Sequence, residues 1–455
     1  MDRSITDSIN RMLANSVPKV PEKPITLSDQ QRSIVESDAD RIIIAAGAGS
    51  GKTRVLIERI KYLLTEKKVD PSNIVAITFT NMAADEMRER LVNVPGVGDA
   101  FIGTIHSFAN RIFHSSGCTY SIYSDEKDSE LHRELINKYC KYLSYDKYLL
   151  YKDLKAKVDI GVVGEEKLRD FLLPSEKSEL SRMHKSAADA AKDSDFPEST
   201  DTLCLQRNII TFDQLLKRAT EYFKSIGAEI EYVLVDEFQD VGTLEYRFIK
   251  SLNARNYFFV GDDWQAIYGF KGGNVNIFKS LMADKRYTQF YLTENYRSGS
   301  AIIEIGEKII SQVPDRIKKD VVAKSANRGK VVIDSRYKID DYLKSIKDHG
   351  QYRDWFILLR SNREVYQMTE RLSRMRIPFS TFKRADMSLA ELRYEMLKDT
   401  VKVLTIHTAK GLESPNVLIH GRFPLNVPSY QKSSDERRVF YVAVTRAEQQ
   451  LIILN

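Results

Sequence analysis

The stretch Ala46–Thr53, AGAGSGKT, decides how the rest of the chain is read. It follows a short apolar run, RIIIA at 41–45, and precedes a helix-like segment, RVLIERIKYLL at 54–64. Strand, glycine loop and helix, in that order, form the context of a phosphate-binding loop. Gly47, Gly49 and Gly51 let the backbone turn tightly, so that its N–H groups converge on oxygens at a helix N-terminus. Lys52 supplies charge for the β- and γ-phosphates and Thr53 a hydroxyl for Mg²⁺. Ala46, Ala48, Ser50 and Arg54 belong to the same nucleotide-binding element, with Ala46 standing where the strict pattern has Gly. The loop points to a nucleotide and leaves its use open.

The bulk numbers narrow the class. A chain of 455 residues is long enough for two or three domains with their own cores. With 42% hydrophobic and 29% charged residues it is an ordinary globular composition. A net charge of +6 permits a polyanionic partner without requiring one. Cys118, Cys140 and Cys204 are too few and too far apart for a disulfide framework or a metal-ligand pair, which suits a reducing interior. The start, MDRSITDSIN, has no apolar signal core, and no run of eighteen apolar residues follows. The expectation is a soluble, cytoplasmic protein without a membrane partner.

Apolar strand-like runs recur between helical patterns: NIVAITF (73–79), YVLVD (232–236), NYFFV (256–260), then KVVI (330–333), WFILLR (355–360), VKVLTI (401–406), NVLI (416–419) and QLIIL (450–454). Such alternation predicts an α/β fold, with parallel sheets covered by helices and grouped in two lobes. From about 109 to 208 the pattern is helical and charged, which reads as an insertion in the first lobe. Its segment KYCKYLSYDKYLLYKDLK (138–155) places tyrosines at 139, 142, 145, 148 and 151. A step of three drifts around a helix, so the rings cannot share one face, and inward-packed tyrosines beside solvated lysines are favoured over a base-stacking stripe.

In VLVDEFQD (233–240) a buried strand ends in adjacent carboxylates. Asp236 is placed for Mg²⁺ and Glu237 for orienting or deprotonating an attacking water. Hydrolysis and simple phosphoryl transfer both remain open at this point. GDDWQAIYGFKGG (261–273) adds Gln265 as a γ-phosphate sensor, with Tyr268 and Phe270 a few residues on as stacking rings. LTENYRS (292–298) and ERRVFYVAVTRAEQQL (436–451) contribute Arg297 and Arg446, which can reach a phosphate cleft from the second lobe. VKVLTIHTAKGLESPNVLI (401–419) puts His407, Lys410 and Glu413 after a strand, where open α/β sheets build sites.

These motifs in this order resemble the superfamily-one DNA helicases of the UvrD/Rep/PcrA type, over about 25–120 and 205–455. The resemblance implies two RecA-like lobes of the P-loop NTPase class and an ATP-driven motor moving 3′→5′ on single-stranded DNA. It implies a DNA-dependent ATPase using ATP and Mg²⁺, acting at single-strand/duplex junctions in repair, replication or recombination, alongside other proteins of those processes. By the same resemblance LSDQQRSIV (27–35) reads adenine, with Gln31 on the base edge and Tyr296 stacked on its ring. Lys52, Thr53, Asp236, Glu237, Gln265, Arg297, Glu413 and Arg446 take the hydrolysis roles. TFTNMAADEM (78–87) supplies Phe79, Thr80 and Asn81 as DNA contacts, GTIHSF (103–108) supplies His106, and Tyr268, Phe270 and His407 join them. TFDQLL (211–216) matches a further family motif. On the residues alone, Phe79 reads as strand-end packing and His106 as structural; the family register reverses both preferences.

The implied division is a tail at 1–24, a first lobe at 25–108 and 209–288, an insert at 109–208, and a second lobe at 289–455. In the second lobe a connection at 381–400 replaces the family's large helical subdomain. Gly269 and Lys271 stand where relatives often carry arginines, and Lys cannot donate bidentately. Relatives continue past the position of Asn455 into a duplex-splitting hairpin, so a separating pin is expected elsewhere, with the insert a candidate. Two alternatives stay beside the helicase: a translocase that strips proteins from single strands, and an ATP-gated single-strand binding module.

Overall fold

Consecutive apolar residues can all be buried only if both faces of their strand are covered, because successive side chains point to opposite sides. In β1 (Arg41–Ala46) the residues sort in that way. Ile43 and Ala45 join one core with Val75, Ile77, Val233, Val235 and Phe259. Ile42, Ile44 and Ala46 join another with Ile74, Ala76, Leu234, Phe258 and Val260. The computed structural model describes residues 26–159, 165–269, 272–384, 387–421 and 434–455. The expected tail, Phe270 and Lys271 lie outside the described residues.

The first sheet contains β1, β2 (Ile74–Thr78), β3 (Phe101–Thr104), β4 (Tyr232–Val235), β5 (Asn256–Gly261) and β6 (Thr288–Leu292), in the order β3-β2-β4-β5-β1-β6. Every pairing is parallel. The second sheet, also six-stranded and parallel, contains β7 (Lys330–Asp334), β8 (Trp355–Leu359), β9 (Phe379–Ser380), β10 (Val401–Thr405), β11 (Ser414–His420) and β12 (Ala447–Leu454). Its order is β7-β12-β11-β8-β10-β9. It too buries alternate residues on opposite faces: Phe356 and Leu358 on one side, Ile357 and Leu359 on the other. These are the two α/β lobes expected from the sequence, except that β6 carries the first sheet to Leu292, past the expected boundary at 288, because it pairs with β1. Strands β3, β6 and β9 were not among the expected runs. All three are edge strands; β6 (TQFYL) is largely solvent-facing, and β3 and β9 are only four and two residues long, too short for an apolar run.

A parallel sheet sends all its strand C-termini to one edge, so the loops that follow them meet. The phosphate loop follows β1, Phe79 follows β2, Asp236 follows β4, Asp262 follows β5 and Thr293 follows β6. Chemistry spread over 250 residues of chain is thereby gathered on one rim.

The inserted helices Asp125–Tyr139, Tyr145–Asp159, Pro174–Met183 and Thr200–Gln206 enclose a separate core of Leu131, Leu135, Ile136, Met183, Phe196 and Leu203. The helix Ile105–His114 crosses the expected insert boundary at 109, because Ile112 and Phe113 pack into the core of the first sheet. The tyrosine row is split over two helices. In the break between them the N–H groups of Lys141, Tyr142 and Leu143 donate to the Glu179 carboxylate at 2.7–3.2 Å. Tyr148 is buried and stacks on His132 at 4.6 Å, whereas Tyr142 faces solvent. Inward packing wins for Tyr148, as the helical drift predicts.

Phe259 is fully buried on β5 and stacks on Phe238 with ring centroids 4.2 Å apart. Phe259→Ala should cost about 3–5 kcal/mol of stability, the usual range for emptying an aromatic site. Urea unfolding checks this; a loss below about 1 kcal/mol would mean the site collapses and is not a packed core.

Candidate functional site: a nucleotide rim and a polyanion cleft

The phosphate loop adopts the backbone its glycines anticipate. Gly49 and Gly51 have φ of +66° and +84°. A Cβ on Gly49 would lie 2.8 Å from the Cβ of Arg297. The helix Lys52–Thr65 starts directly at the lysine. Thr53 Oγ1 donates to Asp236 Oδ2 at 2.8 Å, bringing a hydroxyl and a carboxylate from β1 and β4 together. That pair is a hard-oxygen donor set of the type Mg²⁺ takes when phosphates supply further ligands. Glu237 follows in the left-handed region with φ of +49°, an uncommon and costly conformation for a non-glycine residue. Gln239 Nε2 donates to its Oε2 at 2.5 Å.

Burial and the neighbouring Glu237 raise the pKa of Asp236. For Glu237 burial acts in the same sense, but Lys52 and Lys410 outweigh it and hold its pKa below the ordinary value. The carboxylate beside the phosphate site therefore stays ionised. Gln265 is buried between two charged partners: its Nε2 donates to Asp262 Oδ2 at 2.6 Å and its Oε1 accepts from Arg446 at 3.1 Å. Arg446 also donates to Leu412 O at 3.1 Å. Burial, followed by repulsion from Arg297, pushes the Arg446 pKa down. Two arginines close together, Arg446 buried and Arg297 partly exposed, favour an anion between or beside them.

The second lobe is stitched to the loop. Asn295 Nδ2 donates to Ala48 O at 2.7 Å and Tyr296 N to Gly49 O at 3.0 Å. Arg297 pairs with Glu413. The Tyr296 ring is about half exposed, with its hydroxyl on Glu294. Gln31 is buried, and its amide already works inside the protein: Oε1 accepts from Ser28 N and Nε2 donates to Ser50 O. Each end of the amide keeps one further hydrogen-bonding position, so contact with a base edge remains a proposal. Arg54 donates to Thr26 O at 2.9 Å.

Around the corner from this rim lies a cleft of roughly 790 Å³ between the lobes. Phe79, Thr80, Asn81, His106, Tyr268 and His407 all line it, so six of the expected DNA contacts share one wall system. Phe79 and Tyr268 form a platform, with centroids 5.1 Å apart and planes within 12°. His106 meets Phe212 edge-on at 4.8 Å. The helices Asn81–Leu91, Ile105–His114, Phe212–Ile226 and Asn362–Met375 all begin at the cleft, capped by Thr80, Thr104, Thr211 and Ser361. Helix N-termini present partial positive charge and free N–H groups, which suits phosphates. Lys383 and Arg384 add full charges. Phe212, Asn362, Lys383 and Arg384 were not singled out from the sequence. The capping box Thr211/Gln214 in TFDQLL was a usable signal for the first of them; the others look like ordinary surface residues.

One buried group joins rim and cleft. Lys410, from the second lobe, donates to Asp240 and to Gln265 O at 2.9 Å, and its Nζ lies 4.7 Å from the centre of the Tyr268 ring. Burial pushes the Asp240 pKa up to about 6 against the pull of Lys410. Lys319, which unlike Lys410 was not marked in the sequence, has its side chain fully buried against Asp262 and Asp263.

Burial, then repulsion from Arg360, lowers the His407 pKa to about 4 from an ordinary 6.5. Its neutral form is thus favoured by folding; that stability is complete above pH 6.5 and is lost as pH falls towards 4. An NMR titration of the His407 ring should show a midpoint near 4, and a midpoint near 6.5 would mean the ring is solvated.

Comparison with known proteins agrees with this geometry. Residues 27–286 match the UvrD/REP helicase N-terminal domain and residues 381–455 the UvrD-like helicase C-terminal domain. A probable DNA helicase of Mycoplasma pneumoniae is 29% identical over 94% of this chain and 83% of its own length. DNA helicase II of Escherichia coli is 27% identical, and the ATP-dependent DNA helicase PcrA of Staphylococcus aureus 28%, each over 78% of this chain. The chain spans about half the length of these last two relatives. Among the described residues no helix is long and apolar enough to cross a membrane. The first family model covers more than half of the chain, and the protein belongs to the UvrD/REP helicase family.

Proposed function

We propose that this chain is an ATP-driven motor that moves 3′→5′ along single-stranded DNA and separates strands at single-strand/duplex junctions. The observation that carries this reading is a pair of chain segments that each run from the nucleotide rim to the cleft. In the first lobe, Asp262 and Gln265 face the rim and Tyr268 the cleft. In the second, His407 lines the cleft, Lys410 crosses between, and Glu413 pairs with Arg297 at the rim.

Lys52, Arg297 and Arg446 would bind the triphosphate from opposite lobes, and Glu237 would orient the attacking water. Mg²⁺, held by Thr53 and Asp236, would neutralise charge on the β- and γ-phosphates. Gln31 and Tyr296 would take the adenine. Phe79 and Tyr268 would stack bases, Thr80, Asn81, His106 and His407 would contact the strand, and helix N-termini would hold its phosphates. Lobe closure on ATP and release after hydrolysis would then shift the grip by hinge motion. The functional division would follow the two sheets, with the inserted helices as a separate body beside the first lobe.

Lys52→Ala should lower DNA-stimulated ATPase by at least about a hundredfold, as expected for losing a fixed charge on developing phosphate charge. Single-strand affinity should change little in the same variant. Phe79→Ala should weaken single-strand binding by roughly 1–3 kcal/mol while sparing ATPase measured without DNA. The reading as a whole is tested on duplexes bearing a 3′ or a 5′ single-stranded tail, with ATPase followed in parallel. Opening of the 3′-tailed duplex alone supports it. DNA-stimulated ATPase with neither duplex opened would replace the helicase with a translocase, and no stimulation by DNA would sink both.

A further inference from the structure

Asp262 and Asp263 leave the end of β5 as adjacent, fully buried carboxylates. Beside a phosphate loop such a pair opposes a polyphosphate and attracts the loop's own lysine. Lys319 meets both charges. It lies on a strap, residues 315–324, that follows the second-lobe helix Ser300–Ile310 and passes behind the loop. Ile317 N donates to Asp263 Oδ2 at 2.8 Å, Trp264 Nε1 donates to Ile317 O at 2.9 Å, and Val322 N donates to Thr293 O at 2.8 Å. Val321 sits so close to Gly47 that a Cβ there would lie 3.1 Å from its Cγ2.

The ammonium of Lys319 uses all its donors: Asp262 Oδ1 at 2.6 Å, Asp263 Oδ1 at 2.9 Å and Ala46 O at 3.1 Å. It also lies 4.4 Å from the centre of the Trp264 ring, a cation–π contact. Asp262 Oδ2 is turned the other way. It accepts from Gln265 Nε2 and faces Lys52 Nζ at 4.0 Å, too far for a hydrogen bond. Lys52 and Lys319 are the cations within 4.0 Å of Asp262 among the described residues.

We propose that Lys319 is a positioning residue of the ATP site, which balances Asp262 so that Lys52 stays free for phosphate and the Gln265 amide keeps one orientation. Without Lys319, the uncompensated Asp262 draws Lys52 into a pair and withdraws it from the loop. The amide of Gln265 then loses its fixed acceptor geometry, and with it the alignment of its oxygen on Arg446. This inference rests on the ATPase reading above.

The test is KM and kcat for ATP at saturating oligothymidylate, for the unaltered chain, Lys319→Met and the double variant Lys319→Met/Asp262→Asn, with folding checked by circular dichroism. Lys319→Met should lower kcat/KM for ATP about tenfold, with kcat contributing to the loss because Lys52 and Gln265 both act on the phosphates. Removing the charge of Asp262 as well should return kcat/KM to within about threefold of the unaltered value. An unchanged kcat/KM in folded Lys319→Met, or a double variant as impaired as the single one, overturns the proposal. If the single variant does not fold, the double variant decides alone: a near-normal kcat/KM supports the proposal and a lowered one overturns it. No ATP hydrolysis by the unaltered chain would instead overturn the ATPase reading, and this inference with it.

Discussion

The contact on which the arrangement depends is a lysine of one lobe buried against a carboxylate of the other. Lys410 and Asp240 are both almost fully buried, where low polarity strengthens their attraction but makes either charge costly without the other. Breaking it by removing one partner would leave a stranded charge. The pair therefore acts as a two-sided lock between lobes, and it sits where rim and cleft meet. The same ammonium touches the backbone of Gln265 at the rim and lies over the ring of Tyr268 in the cleft. Any change in how the lobes meet around a nucleotide must alter at least one of these contacts.

The charge distribution follows the same logic on a larger scale. The nucleotide rim carries buried carboxylates, Asp236, Glu237, Asp262 and Asp263, set against Lys52, Lys319, Arg297 and Arg446 from both lobes. Each carboxylate has a cation or a donor beside it, while the arginines are left crowded and partly compensated. In the cleft the positive character comes from helix starts and from Lys383 and Arg384, with few carboxylates. The first surface suits a compact polyanion with a metal; the second suits an extended one.

Much of this was legible in the sequence because it depends on local rules. The loop AGAGSGKT follows its strand and opens its helix as read, and continuous apolar runs marked the interior strands. The residues expected at the rim, from Lys52 and Thr53 to Arg446, do meet there, since a parallel sheet collects the ends of its strands. What was not legible depends on tertiary neighbours. Edge strand β6 lacks an apolar run because most of it meets solvent, and β3 is only four residues long. Lys319 stands in IKKDVV, which reads as a solvated charge cluster; only the fold shows that its partners are Asp262 and Asp263. Arg384 lies on the short connection of the second lobe, and its contacts with Lys410 O and Met82 join segments about 300 residues apart in sequence. The insert boundary moved because the helix Ile105–His114 continues through it to fill the first core.

In the motor proposed above, nucleotide and DNA would be felt across this one buried bridge. Reciprocal linkage makes this measurable: single-strand affinity should differ with and without a non-hydrolysable ATP analogue, by the coupling factor between the sites. The decisive comparison is that factor in the unaltered chain and in Lys410→Met/Asp240→Asn, which removes the bridge without stranding a charge. The expected factor is roughly 5–150 in the unaltered chain, falling towards one in the variant with both ligands still bound. An unchanged factor in the folded variant would show that the coupling runs by another route.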